Sequence, residues 1–94
     1  MPYLLIRHKV EDYDRWKPVF DEDAKNRARH GSKNGALFRN RNNANEIVAM
    51  WEFDDAEQME AFTQSPELRE RMGRAGVADH PDIYFLDLVE RPER

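Results

Sequence analysis

The 94-residue chain has no cysteine, so neither disulfide staples nor thiol chemistry is open to it. Its apolar runs, "YLLI" at residues 3–6 among them, fall far short of a membrane span or the core of a signal peptide. A soluble cytoplasmic protein is expected. Positive charge is also scarce: 15 Lys and Arg against 19 Asp and Glu leave a net charge of −4. A nucleic-acid binder needs a basic stripe to release counterions from phosphate, and none is present. The four glycines form no phosphate-cradling loop, and there is no nucleophile elbow or "HExxH". His8, His30 and His80 fall on different elements, and Asp79 beside His80 does not complete a metal-ligand spacing. No metal or nucleotide cofactor is expected.

What remains is a single domain spanning residues 1–94. A domain of this size buries only about 60–65% of the surface its unfolded chain exposes, which makes a partner subunit plausible from length alone. "YLLIRHKV" at 3–10 reads as a strand. From Asp12 the period changes: Tyr13, Trp16, Phe20, Ala24 and Ala28 form a helical stripe to about His30, closed by Gly31. Pro18 predicts a short opening turn and a kink. The acids Asp12, Asp14, Asp21, Glu22 and Asp23 read as helix-start charge and a solvated face. "GALFRNR" and "NEIVAMWEF" read as a hairpin joined by asparagines that tolerate left-handed backbone. Asp54 with Glu57 resembles a capping box for a second helix. Ser65 and Pro66 start another short one, and Gly73 and Gly76 end the helical region. "DHPD" at 79–82 is a turn into the last strand, "DIYFLDLVE".

Strand, helix, strand, strand, helix, strand predicts an α+β, ferredoxin-like fold. Four antiparallel strands in the order fourth, first, third, second would carry both helical regions on one face. Strand parity sorts the side chains. Leu4, Ile6, His8, Val10, Ile47, Ala49, Trp51, Phe53, Tyr84, Leu86 and Leu88 are assigned to the helix side. Tyr3, Leu5, Arg7, Lys9, Val48, Met50, Glu52, Ile83, Phe85, Asp87 and Val89 are assigned to the open side, where Arg7 can reach Asp87 and Arg39 can reach Glu52. An open face this apolar predicts a homodimer packed sheet to sheet.

"WEFDDAEQMEAFTQSPEL" and the opening "HKVEDYDRWKPVFDE" resemble the dimeric α/β-barrel superfamily, in particular antibiotic-biosynthesis-monooxygenase-like domain proteins. The resemblance covers nearly the whole chain. It implies two ferredoxin-like sheets packing as a barrel, with a site between sheet and helices. The family signature has an asparagine near the end of the first strand, a tryptophan ending the third, and often a histidine on the second helix. His8 stands where the asparagine would be, Phe53 where the tryptophan would be (with Trp51 one pleat earlier), and Phe62 where the histidine would be. A haem ligand therefore has no candidate.

His8 is the catalytic candidate, because an imidazole's ordinary titration range spans neutrality. It is equally a strand-end histidine hydrogen-bonded to a carboxylate of "EDYD" or to water. Trp16, Phe20, Trp51, Phe53, Phe62 and Tyr84 are candidates to line a flat apolar pocket, or to be plain core. Two functions fit these residues. One is a cofactor-independent, monooxygenase-like enzyme acting on a small apolar or aromatic metabolite. The other is a non-catalytic dimeric module binding a small apolar ligand.

Overall fold

A computed structural model describes residues 2–74, 76 and 80–93. Four strands, β1 (Pro2–Lys9), β2 (Ser32–Asn40), β3 (Asn43–Phe53) and β4 (Asp82–Asp87), form one antiparallel sheet in the order β2-β3-β1-β4. This is the expected α+β, ferredoxin-like sheet with helices over one face. The helical regions are each split in two: α1 (Tyr13–Glu22) and α2 (Ala24–Arg29), then α3 (Ala56–Thr63) and α4 (Pro66–Arg74). The β2–β3 hairpin turns through Arg41 and Asn42, with the Asn40 carboxamide accepting from the Asn42 amide at 2.8 Å.

Helix boundaries depart from the expected pattern in three places. Asp12 caps α1 through a bond from the Asp14 amide at 3.0 Å, and the helix runs through Pro18 without interruption. Pro18, the sixth residue of α1, removes the one bond its amide would have given the Asp14 carbonyl, and the break falls instead at Asp23. There the inward face changes. Ala24 and Ala28 are exposed, whereas Asp23, Asn26 and Arg27 are buried. The cap of α3 is Asp55, which accepts from the Gln58 amide at 2.7 Å, while Asp54 pairs with Lys33 at 2.8 Å. Ser65 caps α4 as expected, accepting from the Leu68 amide at 3.1 Å. Gly31 ends α2 with φ +86°, and Gly73 remains inside α4. Of "DHPD", Asp79 lies outside the described residues.

Register decides the faces, because directly opposed residues in an antiparallel pair project to the same side. Leu4 opposes Trp51 and Phe85; Leu5 opposes Met50 and Tyr84. The parity expected for β4 is thus reversed. Ile83 and Phe85 share the helix side with Leu4, while Tyr84 and Leu86 lie on the open side. Two expected ion pairs change accordingly. Arg7 bridges Glu46 at 2.9 Å and Asp82 at 3.0 Å, not Asp87. Arg39, opposite Ile47 on the helix side, lies over the Tyr13 ring at 3.9 Å and does not meet Glu52.

The helix-side core has two parts. Leu4, Ile6, Phe53, Met59 and Phe62 pack under α3, joined by Trp51 and Leu68. Val10, Trp16 and Ile47 pack under α1, joined by Tyr13, Val19, Phe20 and Leu37. Between Ile47 and Trp51 on β3 the inward residue is Ala49, a side chain too small to bridge the two parts.

Candidate functional site

A cavity of about 50 Å³ lies where the core divides. Its floor is the sheet: Ile6 and His8 from β1, with Ile47, Ala49 and Trp51 from β3. Trp16, Val19 and Phe20 of α1 form one wall, and Phe62 of α3 with Leu68, Arg71 and Met72 of α4 form the other. His8 is 6% exposed and meets the Trp16 ring edge-on, with centroids 5.8 Å apart and planes at 78°. The aromatic chain continues from Trp16 to Phe20 at 4.7 Å, to Trp51 at 6.0 Å, and on to Phe62 at 6.3 Å. These are offset and edge-to-face arrangements, which suit the ring quadrupoles and hold each plane in place.

Trp51 depends on a close approach to β2. A Cβ added at Gly35 would fall 2.5 Å from Trp51 Cδ1 and 2.6 Å from Nε1, so the indole occupies space that any other residue at 35 would fill. Glycine here admits the ring rather than a special backbone angle.

One end of the cavity is polar. Asp23, Arg27 and Arg71 line it, and Asp23 is only 3% exposed. Standing between α1 and α2, Asp23 makes no capping bond to α2, and its carboxylate turns inward. It accepts from Asn26 Nδ2 at 3.2 Å, and lies 3.8 Å from Arg27 Nη1 and 3.4 Å from Arg71 Nη1. Asn26 Nδ2 also donates to Ser65 Oγ at 3.2 Å, tying α2 to the start of α4. Burial pushes the Asp23 carboxyl above its ordinary range, against the lowering effect of Asn26 and the two guanidiniums. Burial likewise lowers the Arg27 guanidinium, against the opposing pull of Asp23 and Asp21. The Arg27 guanidinium carbon lies 4.1 Å from the Phe20 ring centre and 5.2 Å from that of Trp51, and Nη1 donates to the Phe20 carbonyl at 2.9 Å.

Of the residues singled out from sequence, His8, Trp16, Phe20, Trp51 and Phe62 come together around the cavity. Phe53 does not reach it, being fully buried in the core under α3. Tyr84 is on the opposite face of the sheet and 53% exposed. Asp23, Arg27 and Arg71 are not expected from sequence, which places Asp23 on a solvated face. Their only sequence signal is that an i, i+4 acid–base pair, Asp23 and Arg27, occurs just where the apolar stripe weakens to alanine. Among the described residues no cluster of His, Asp and Glu could hold a metal ion, and no helix is long and apolar enough to cross a membrane.

The sheet order and the helices over one face define a fold shared with antibiotic biosynthesis monooxygenase proteins. SnoaB from Streptomyces nogalater, a cofactor-independent oxygenase, superposes with a TM-score of 0.81 at 16% identity, over 99% of this chain and 97% of that one. An antibiotic biosynthesis monooxygenase gives a TM-score of 0.77 at 13% identity, over 96% and 100%. Rv0793 from Mycobacterium tuberculosis gives 0.71 at 13% identity, over 97% and 98%. No protein-family model matches the chain, and no curated protein matches it. At these identities the likeness is one of fold.

Proposed function

We propose that the protein is a cofactor-independent, monooxygenase-like enzyme acting on a small apolar or aromatic metabolite, working as a homodimer. The observation that carries this reading is the cavity itself, which is apolar, roofed by helices, lined by stacked rings and touched by a buried histidine. In the chemistry of this class the substrate is an electron-rich phenol that supplies its own electrons to dioxygen. A substrate CH2 becomes C=O; one oxygen atom enters the product, and the other leaves as water with the two substrate hydrogens. The protein then has to supply position, exclusion of water and a proton acceptor. Trp16, Phe20 and Trp51 would hold the ring, and His8 would take the proton.

The homodimer is supported by the open side of the sheet. Leu5, Ala36, Phe38, Val48, Met50, Tyr84 and Leu86 lie there, with Phe38 55% exposed. A patch so continuous is unusual on a monomer.

One observation favours the non-catalytic module. Pockets that hold drug-sized ligands usually measure about 300–1,000 Å³, several times the present space. The decisive experiment is oxygen uptake with a panel of planar phenols, comparing wild type with His8→Ala and Ala49→Ile. Ala49→Ile fills the gap between the core halves and is expected to abolish uptake while keeping the fold. His8→Ala is expected to abolish turnover but spare binding. Uptake unchanged in His8→Ala makes His8 structural, and no uptake with any substrate favours the module.

A further inference from the structure

We propose that the polar end of the cavity is a carboxylate-recognition subsite formed by Arg27 and Arg71, so that the ligand is a flat apolar body bearing one carboxylate. This rests on the reading that the cavity is the ligand site and adds the chemistry of what it accepts.

Two guanidiniums converge on one carboxylate. Asp23 is the one buried acid among the described residues, and Arg27 and Arg71 approach it at 3.8 and 3.4 Å without closing a two-bond fork. Each guanidinium has five N–H donors in a fixed plane. Arg27 commits one to the Phe20 carbonyl, and the buried Nε of Arg71 has no hydrogen-bond partner among the described residues. Donor capacity therefore exceeds acceptor capacity at the cavity wall. The neighbouring acids do not cancel the excess from within. Asp21 is exposed and paired with Lys17 at 2.6 Å, and Glu67 is exposed on α4. Both act from the solvent side.

The arrangement also suits recognition. Arg27 is fixed against Phe20 and Trp51, so its fork is oriented before anything binds and little side-chain freedom remains to be lost. A carboxylate offers two oxygens in one plane, which matches guanidinium geometry better than a neutral carbonyl or hydroxyl does. The rest of the lining is almost entirely hydrocarbon, which accounts for the apolar body. A cationic ligand is disfavoured, because the cavity's one acid already stands between two cations.

Both tryptophans of the chain, Trp16 and Trp51, line the cavity, so intrinsic fluorescence reports on binding. Benzoate, benzamide and phenol are titrated at pH 7 into the wild-type protein; they share a ring and differ in charge. Benzoate is expected to bind at least tenfold more tightly than the other two. Arg71→Gln should reduce the benzoate-to-benzamide ratio to within about twofold, and Arg71→Lys should retain part of it. Asp23→Asn removes the competing carboxylate and should strengthen benzoate binding severalfold. Equal binding of benzoate and benzamide overturns the subsite, and so does weaker benzoate binding in Asp23→Asn. Binding of phenol and benzamide without benzoate leaves the cavity as a ligand site and refutes only the carboxylate. Saturation by none of the three below about 10 mM refutes both.

Discussion

Replacing Gly35 with alanine adds a single methyl group, and its cost can be worked from two distances. The new Cβ would lie 2.5 Å from Trp51 Cδ1 and 2.6 Å from Nε1. Ordinary contact begins near 3.4 Å, so the indole or the β2 backbone must retreat by roughly 1 Å. The ring has little room to do so, being stacked on Phe20 at 6.0 Å and set edge-on to Phe62 at 6.3 Å, with Arg27 over it. Overpacking of this kind costs about 1–3 kcal/mol. For a domain of this size each kcal/mol lowers Tm by roughly 4–8 °C.

Gly73 gives the matched control, since a Cβ there would meet nothing within 4 Å and the residue is helical. Gly73→Ala should stabilise by about 0.4–1 kcal/mol, chiefly by restricting the unfolded chain. Calorimetric Tm values of the two variants should therefore move in opposite directions. In Gly35→Ala the tryptophan emission should also shift, because Trp51 lines the cavity. A Gly35→Ala protein with wild-type Tm and emission would refute the steric account of Trp51.

Other perturbations test the open face and the buried acid. Met50 lies opposite both Leu5 and Ala36 in the middle of the open face, so Met50→Glu should convert the expected dimer to monomer by light scattering. Phe85→Glu, on the helix side of β4, should affect assembly less. Asp23 has a folded-state pKa raised above 3.8, so it binds more protons folded than unfolded. Its contribution to stability is greatest below pH 3.8 and falls as pH rises through the raised value, then levels off. Denaturant titrations from about pH 3 to pH 8 should show wild type losing stability relative to Asp23→Asn across that window; a constant difference, or the opposite slope, refutes it.

Much of this architecture is legible in the sequence, because local signals and tertiary demands coincide there. The alternation of "YLLIRHKV", the asparagine turn and the Ser65-Pro66 helix start each have one simple solution. The face assignment of β4 is not legible. "IYFLDL" is apolar on both sides, so parity counted along the strand has no anchor, and only pairing with Leu4 and Leu5 fixes which residues face the helices. Register sends Tyr84 to the open side and leaves Phe53 in the core, reducing six expected lining aromatics to four.

The polar end of the site is hidden for a related reason. A stripe counted through Ala24 and Ala28 assumes one straight helix from Asp12 to Gly31. The break at Asp23 rotates the next segment, so α2 presents Asn26 and Arg27 to the interior instead. Burying an acid, an amide and a guanidinium beside an apolar core is costly unless they satisfy one another. Here they do so only in part: Asn26 Oδ1 and Arg71 Nε have no hydrogen-bond partner among the described residues, and both ion pairs are long. An apolar stripe from α2 would have packed more simply. Of these two atoms Arg71 Nε, a donor on a residue that lines the cavity, is the one that a ligand oxygen would complete. Fold and site thus part company at one residue, Asp23, where sequence periodicity ends and the chemistry of the cavity begins.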